Sequence, residues 1–197
     1  MEVVLYGDSN TYGLMPEGGR YENRYPKILS SYFDKKVNIY EEGLIGRTTI
    51  YKDYRPNRKA IDDIDITLSK YKNIDLFVIM LGTNDYKISN ARNAKELKKG
   101  MNKLLTKINS NKNIKKILVI SPILLSENIS NLDKEFDYDS YLLSKESSAI
   151  YKKLANNYNA LFFDAKQVAK AGSDGEHFDE YSHQALANNL IKIIESI

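Results

Sequence analysis

The stretch VVLYGDSN, Val3–Asn10, joins an apolar run to a glycine, an acid and a serine. Successive apolar residues are typical of a strand that is buried on both faces, and Gly7-Asp8-Ser9 has the composition of a turn. A strand that ends in this way either makes an ordinary polar turn or presents a serine nucleophile at the edge of a sheet. The rest of the sequence decides between these two interpretations.

The composition narrows the classes of protein to consider. The 197 residues fit one domain, and the absence of cysteine excludes disulfides, zinc–thiolate sites and cysteine nucleophiles. The 29 Lys and Arg residues and the 26 Asp and Glu residues are dispersed, so the net charge of +3 does not indicate a nucleic-acid partner. No apolar run approaches the length of a membrane span. We therefore expect no membrane insertion and a cytoplasmic location, although a removed signal peptide would leave no trace.

Short apolar runs alternate with segments of helical periodicity, and this pattern predicts an α/β fold with a parallel sheet. The predicted strands are Glu2–Tyr6, Lys36–Tyr40, Leu76–Leu81, Lys116–Ser121 and Ala160–Phe163. The predicted helices are Tyr25–Phe33, Lys59–Tyr71, Ala94–Ile108, Tyr141–Asn157 and Glu180–Ser196. The segment Pro122–Asp139 is long for a connection, and it is either plain surface loop or the wall of a pocket.

Polar, glycine-bearing loops follow four of these strands. In open α/β sheets ligands bind outside the carboxyl ends of the strands, so these loops are expected to converge on one rim. The loops are GDSN (Gly7–Asn10), EEGLIGRTT (Glu41–Thr49), GTND (Gly82–Asp85) and DGEH (Asp174–His177).

A serine nucleophile needs a base, and the chain has only two histidines. His177 follows Asp174 by three residues in a short loop, where the carboxylate can orient the ring and stabilise its charged form. His183 lies inside a predicted helix with Asp179 four residues before it, and we interpret it as a residue that either packs in the core or supports the site without contacting the serine. The sequence thus favours His177 as the base for Ser9. A serine–lysine dyad stays open in principle, but no lysine stands out in these loops.

Acyl transfer also needs donors for the oxyanion that forms on attack. Gly46 offers a backbone N–H without an obstructing side chain, and Asn84 offers a side-chain amide. Each loop alone is better read as an ordinary turn. Their order along the chain, together with Ser9 and the Asp174–His177 loop, favours the catalytic interpretation.

These four blocks resemble those of the SGNH, or GDSL-type, hydrolases, and the resemblance spans essentially the whole chain. GDSN resembles the block of the nucleophile, EEGLIGRTT and LGTNDYK those of the oxyanion donors, and DGEHF the Asp-x-x-His block. The phrases GDSNTYG, EEGLIGRTT and IMLGTNDYK look most like the arylesterase and acyltransferase-like branch. The resemblance implies a flavodoxin-like α/β/α sandwich with strand order 2-1-3-4-5, and not an α/β-hydrolase with its Gly-x-Ser-x-Gly elbow.

The resemblance also implies a mechanism. Ser9 would form an acyl intermediate, with His177 and Asp174 as its partners and with Gly46, Asn84 and the Ser9 N–H around the oxyanion. No metal or organic cofactor is implied. The expected substrates are small or short-chain esters, such as acetyl esters of carbohydrates, and homo-oligomerisation is compatible with the sequence. The alternatives are a lysophospholipase or thioesterase, a hydrolase-derived binding protein without activity, and a nucleotide- or flavin-binding protein.

Three residues bear on the shape of the site. Relatives in this branch usually carry an aliphatic residue before the histidine, where this chain has Glu176, and we expect that carboxylate to point to solvent. Tyr12 stands where relatives often have tryptophan. Tyr12 and Tyr86 are predicted to contact the substrate, since a tyrosine ring near the rim could stack on a sugar or an aryl group.

Overall fold

The computed structural model describes residues 1–197 and contains one five-stranded sheet in which all strands are parallel. The strand order is β2-β1-β3-β4-β5, which confirms the predicted topology. The strands are β1 (Glu2–Gly7), β2 (Asn38–Gly43), β3 (Ile74–Met80), β4 (Ile114–Ser121) and β5 (Leu161–Asp164).

Seven α-helices connect and flank the strands. They are α1 (Ser9–Tyr12), α2 (Tyr25–Phe33), α3 (Ala60–Ser69), α4 (Ala94–Ser110), α5 (Ile129–Leu132), α6 (Tyr138–Asn157) and α7 (Glu180–Glu195). The sequence predicted the five long helices to within a few residues, but not the single-turn helices α1 and α5. None of the helices combines the length and the apolar character needed to cross a lipid bilayer.

Alternate residues of the strands face two separate cores, as the period of a β-strand requires. Val4 and Tyr6 of β1 pack with α3, α4 and α6, whereas Val3 and Leu5 pack with α2 and α7. The sheet is therefore covered on both faces, and the molecule is the predicted three-layer α/β/α sandwich. Of the sheet itself, the ends of the strands remain available for a site.

Strand β2 differs from its prediction. It was expected at Lys36–Tyr40 but extends over Asn38–Gly43, because Glu41 and Glu42 continue the ladder opposite Leu5 and Tyr6. A pair of glutamates has low strand propensity. Here the carboxylates are neutralised from outside the strand, as in the 2.7 Å ion pair between Arg24 and Glu41.

A glycine in α4 shows how closely the helical layer meets the loops. A Cβ atom at Gly100 would lie 2.3 Å from Thr49 Oγ1, and that hydroxyl donates a 2.5 Å hydrogen bond to the buried carboxylate of Asp85. Replacing glycine by alanine inside a helix normally stabilises it by up to about 1 kcal/mol. At this position the steric conflict should make the replacement destabilising instead.

We therefore expect Gly100→Ala to lower the free energy of unfolding by about 1–3 kcal/mol, the usual cost of overpacking. Lys99→Ala is the matched control, since this exposed neighbour in the same helix should change stability by less than about 0.5 kcal/mol. Urea denaturation of the three proteins measures both changes. A stabilised Gly100→Ala protein would contradict the packing argument.

Candidate active site

The turn after β1 fixes Ser9 at the carboxyl edge of the sheet. Gly7 has no room for a side chain, because a Cβ atom there would lie 2.0 Å from Thr11 Oγ1 and 2.8 Å from the Met80 carbonyl oxygen. Asp8 caps α1 by accepting the Asn10 N–H at 3.0 Å. Ser9 is thus the first residue of α1, and its backbone N–H makes no hydrogen bond within the protein.

A continuous chain of hydrogen bonds joins Ser9, His177 and Asp174. Ser9 Oγ lies 2.9 Å from His177 Nε2, and His177 Nδ1 lies 2.5 Å from Asp174 Oδ2. The other oxygen of Asp174 accepts the backbone N–H groups of Glu176 and His177 at 3.1 and 3.0 Å. A carboxylate at Nδ1 favours the tautomer whose Nε2 accepts a proton, so the ring is oriented to take the proton of Ser9.

The ionisation of the pair follows from its surroundings. Burial opposes the charge on the imidazole, but the hydrogen bond to Asp174 and the charges of Glu176 and Asp174 outweigh it, so the pKa of His177 is raised. Burial likewise opposes the charge on Asp174, yet the hydrogen bonds that it accepts from His177 hold its pKa below the ordinary value. Each partner therefore stabilises the charged form of the other.

Glu176 does not point to solvent, which corrects the expectation from the sequence. Its side chain is only 12% exposed, and its Oε1 lies 3.9 Å from His177 Nδ1. Burial raises the pKa of Glu176 to about 7. The loop is covered by the segment after β4, whose Ser126 N–H donates to the Gly175 carbonyl oxygen at 2.8 Å.

The two predicted oxyanion donors come from loops that contact each other. Asn84 Nδ2 donates to the Arg47 carbonyl oxygen at 3.2 Å, and because a primary amide carries two hydrogens, one remains for a ligand. Gly46 precedes Arg47, has a φ of +77°, and its N–H makes no hydrogen bond within the protein. That φ lies in the left-handed region, and a Cβ atom there would also lie 2.8 Å from the guanidinium of Arg55.

The two tyrosines predicted to contact the substrate lie in different environments. Tyr86 is 0% exposed and belongs to the core between the sheet and α6, so the prediction that it contacts the substrate is wrong. Tyr12 is partly exposed, and the guanidinium of Arg20 lies 4.2 Å from the centroid of its ring. A substrate contact of Tyr12 stays a prediction.

His183 lies in an aromatic cluster and makes no hydrogen bond to the serine. It is fully buried, its Nδ1 accepts the Tyr25 N–H at 3.3 Å, and the rings of Tyr21 and Phe178 meet it edge-on. Burial lowers the pKa of His183 to about 4, so the ring is neutral at physiological pH. These contacts describe a packing residue.

A partly buried ion cluster beside the site was not predicted from the sequence. Lys87 is 3% exposed, and its Nζ lies 3.2 Å from Asp53 and 2.7 Å from Glu135. Asp53 also pairs with Arg55, the residue that covers Gly46. The cluster ties the loop after β2 and the segment Pro122–Asp139 to the loop after β3. The long segment therefore packs against the loops of the site, and its role as the wall of a pocket stays a prediction.

One group of side chains has the composition of a metal site. The ligand atoms of Asp174, Glu176 and His177 lie within 4.8 Å of one another. Two of these residues are already hydrogen-bonded to each other through His177 Nδ1. A metal ion would have to displace that bond, so the arrangement fits a proton relay better than a metal centre.

In this structure a serine lies in the turn between a strand and a helix, at the edge of a parallel sheet, and faces the histidine of an Asp-x-x-His loop. This arrangement is typical of a serine hydrolase. The model of the GDSL-like lipase/acylhydrolase family matches residues 5–186, and the chain belongs to this family. It is a carboxylic ester hydrolase with the SGNH fold that its sequence resembles. No curated protein sequence matches the chain at a significant level.

Solved structures agree with this assignment. A carbohydrate acetylesterase family member from Sinorhizobium meliloti is 29% identical, with a TM-score of 0.91 over 99% of this chain and 97% of that chain. The aryl esterase of M. smegmatis in its inhibitor-bound form is 27% identical, with a TM-score of 0.88 over 99% and 98%. A lipase/acylhydrolase from Enterococcus faecalis, 16% identical over 99% and 95%, shares the fold with a TM-score of 0.72.

The geometry predicts different outcomes for the two histidines. We expect His177→Gln to remove nearly all esterase activity, since the only base in contact with Ser9 is lost, and His183→Gln to keep most of it. Turnover of p-nitrophenyl acetate, with circular dichroism as a check of folding, measures the difference. Equal loss in two folded variants would make His183 and Asp179 the pair to study.

The charge of Glu176 should contribute to the lower pH limit of activity, together with the hydrogen bond from His177 to Asp174. Only the neutral ring of His177 can accept a proton, so kcat/KM should rise with pH through the pKa of His177, above its ordinary value of 6.5. Glu176→Gln removes a negative neighbour that raises this pKa, and the rise in activity should move to lower pH. The exposed Glu180→Gln is the control. An unchanged or upward-shifted profile in Glu176→Gln would contradict the electrostatic argument.

Proposed function

We propose that this enzyme hydrolyses small, short-chain carboxylic esters, acetyl esters of carbohydrates among them, through an acyl intermediate on Ser9. The observation that carries the proposal is the unbroken hydrogen-bond chain from Ser9 Oγ through His177 to Asp174, with distances of 2.9 and 2.5 Å. The general base must lie within hydrogen-bond reach of the proton that it removes, and His177 meets this condition.

The proposed reaction has two halves. Ser9 Oγ attacks the ester carbonyl carbon while His177 Nε2 takes its proton, and the carbonyl oxygen becomes an oxyanion. His177 then gives the proton to the alcohol as the carbon–oxygen bond breaks, which leaves an acyl-serine. Water, deprotonated by His177, attacks this ester, and the acid leaves as Ser9 regains its proton. Asp174 stabilises the imidazolium in both halves.

The proposed oxyanion donors are the N–H groups of Ser9 and Gly46 and the amide of Asn84. Neither backbone N–H is used within the protein, and the amide has one hydrogen in excess of its bond to Arg47. Donors that are fixed before the reaction need no reorganisation when charge develops, which is why such groups lower the barrier. The left-handed backbone at Gly46 and the contact between its loop and Asn84 supply this rigidity.

The surroundings of Ser9 support small acyl groups. A long acyl chain would need a continuous apolar groove at the nucleophile. The side chains near the nucleophile are instead polar, among them Glu176 beside His177 and the Lys87–Glu135 ion pair, and such groups suit hydroxyl-bearing alcohols. The similar acetylesterase and aryl esterase structures agree with this choice of substrate class.

The test is a comparison of acyl lengths and alcohols. We expect kcat/KM for p-nitrophenyl esters to fall from acetate to octanoate, and acetylated saccharides to be deacetylated. A preference for octanoate or for lysophospholipids would favour the lipolytic alternative. No turnover and no acyl-enzyme burst with any ester would favour a binding protein.

Ser9→Ala provides the matching prediction for the nucleophile. The variant should fold normally but lose turnover, because no other hydroxyl contacts His177 Nε2. An organophosphonate should label the wild-type protein once, on Ser9, as read by mass spectrometry of its peptides. Labelling at another residue, or undiminished turnover in Ser9→Ala, would overturn the assignment.

A further inference from the structure

Asn10 follows the serine and bonds to the loop that carries the histidine. Its Nδ2 donates to the Glu176 carbonyl oxygen at 3.1 Å, and its Oδ1 accepts the Phe178 N–H at 2.8 Å. These two groups lie immediately before and after His177, and Asn10 is itself only 2% exposed. We propose that Asn10 is a positioning residue that clamps the backbone on both sides of His177 and so holds the imidazole against Ser9. This inference rests on the proposed roles of Ser9 and His177.

The clamp joins parts of the chain that are far apart in sequence. Ser9 and His177 are separated by 168 positions, and their direct link is the 2.9 Å bond between Oγ and Nε2. That bond must break and re-form as protons move, so it cannot by itself fix the distance between the two groups. The two bonds of Asn10 take no part in the proton transfer and persist throughout the cycle. They therefore maintain the alignment while the catalytic bond changes.

The anchor at the serine end is short and rigid. Asn10 belongs to the single turn of α1, where its own N–H donates to Asp8 Oδ1 and where Gly13 N–H closes the turn on the Ser9 carbonyl oxygen at 2.9 Å. A displacement of the His177 loop is thus opposed by the same turn that holds the nucleophile. An error of about 1 Å in such an alignment can cost a hundredfold in rate.

Only a primary amide supplies what this position requires. The partners are one acceptor and one donor, and a single orientation of the Asn10 amide satisfies both. An aspartate could keep the bond from Phe178 N–H but has no hydrogen for the Glu176 carbonyl oxygen. A leucine fills a similar volume and makes neither bond.

The test compares Asn10→Leu and Asn10→Asp with the wild type, using Asn189→Leu as the control. Asn189 also donates its side-chain amide to one backbone carbonyl, that of Ala185 at 2.9 Å, but in α7. We expect Asn10→Leu to lower kcat for p-nitrophenyl acetate by about tenfold to a hundredfold, with KM changed less than threefold, because alignment and not substrate binding is lost. The rate of phosphonate labelling of Ser9 should fall by the same factor. Asn10→Asp should lie between Asn10→Leu and the wild type, and Asn189→Leu should match the wild type.

Two further measurements distinguish a positioning role of Asn10 from a purely structural one. The Nδ1 proton of His177, seen by NMR far downfield when it is bonded to Asp174, should broaden or shift in Asn10→Leu while the dispersed spectrum of a folded protein remains. The Phe178 amide should exchange faster with solvent in both Asn10 variants. If Asn10→Leu does not fold, Asn10→Asp carries the same measurements.

The proposal would be overturned if a folded Asn10 variant kept the kcat, the labelling rate and the Nδ1 resonance of the wild type. It would also be overturned if the loss of activity were fully explained by the fraction of unfolded protein. Failure of the proposed function is distinguishable. If the proposed function failed, the wild type would show no turnover and no labelling of Ser9. The effect of Asn10 on the loop of His177 could still be measured from the Nδ1 resonance and the exchange of the Phe178 amide.

Discussion

The structure depends on one constraint, which is that β1 is buried on both faces and must end at Gly7. Its side chains are divided between the two cores, and its ladder is filled by β2 on one side and by β3 on the other. The chain crosses from β1 to β2 in one direction and returns to β3 in the other, so the loops after β1 and β3 diverge at the carboxyl edge. A crevice opens at such a switch point, and Ser9 stands there because the strand cannot continue past a glycine packed against Met80 and Thr11.

Buried carboxylates then fasten the loops of this crevice to one another. Asp85, in the loop after β3, accepts the N–H and the hydroxyl of Thr49, in the loop after β2, at 2.9 and 2.5 Å. Burial raises the pKa of Asp85 to about 7 and that of Asp8 to about 6. A buried acid is costly unless it is hydrogen-bonded, so the loops have few other arrangements that would satisfy these groups. The hydrogen bonds that offset this cost also restrict the motion of the proposed oxyanion donors.

The sequence predicted the fold well because burial on both faces and helical periodicity are local signals. The strand order was correct, and strand ends were misplaced mainly where partners outside the strand decide them, as with the glutamates of β2. Errors at the site have the same origin. Tyr86 faces the core because a 3₁₀ turn, Thr83–Tyr86, directs it toward α6, and Glu176 is covered by a segment that begins more than 40 residues earlier. No local pattern contains that information.

The residues that the sequence did not reveal share one property, which is that each connects two of the loops. Lys87 joins the loop after β3 to Asp53 and Glu135, Asp53 holds the arginine over Gly46, and Asn10 joins α1 to the loop of His177. A motif marks the groups that meet the substrate, since each lies in a short segment of fixed spacing. The groups that hold these segments together are recognised only when the segments are placed beside one another. The placement of Ser9, Asn84 and His177 in the structure thus depends on tertiary contacts between the four loops, which the motifs alone do not determine.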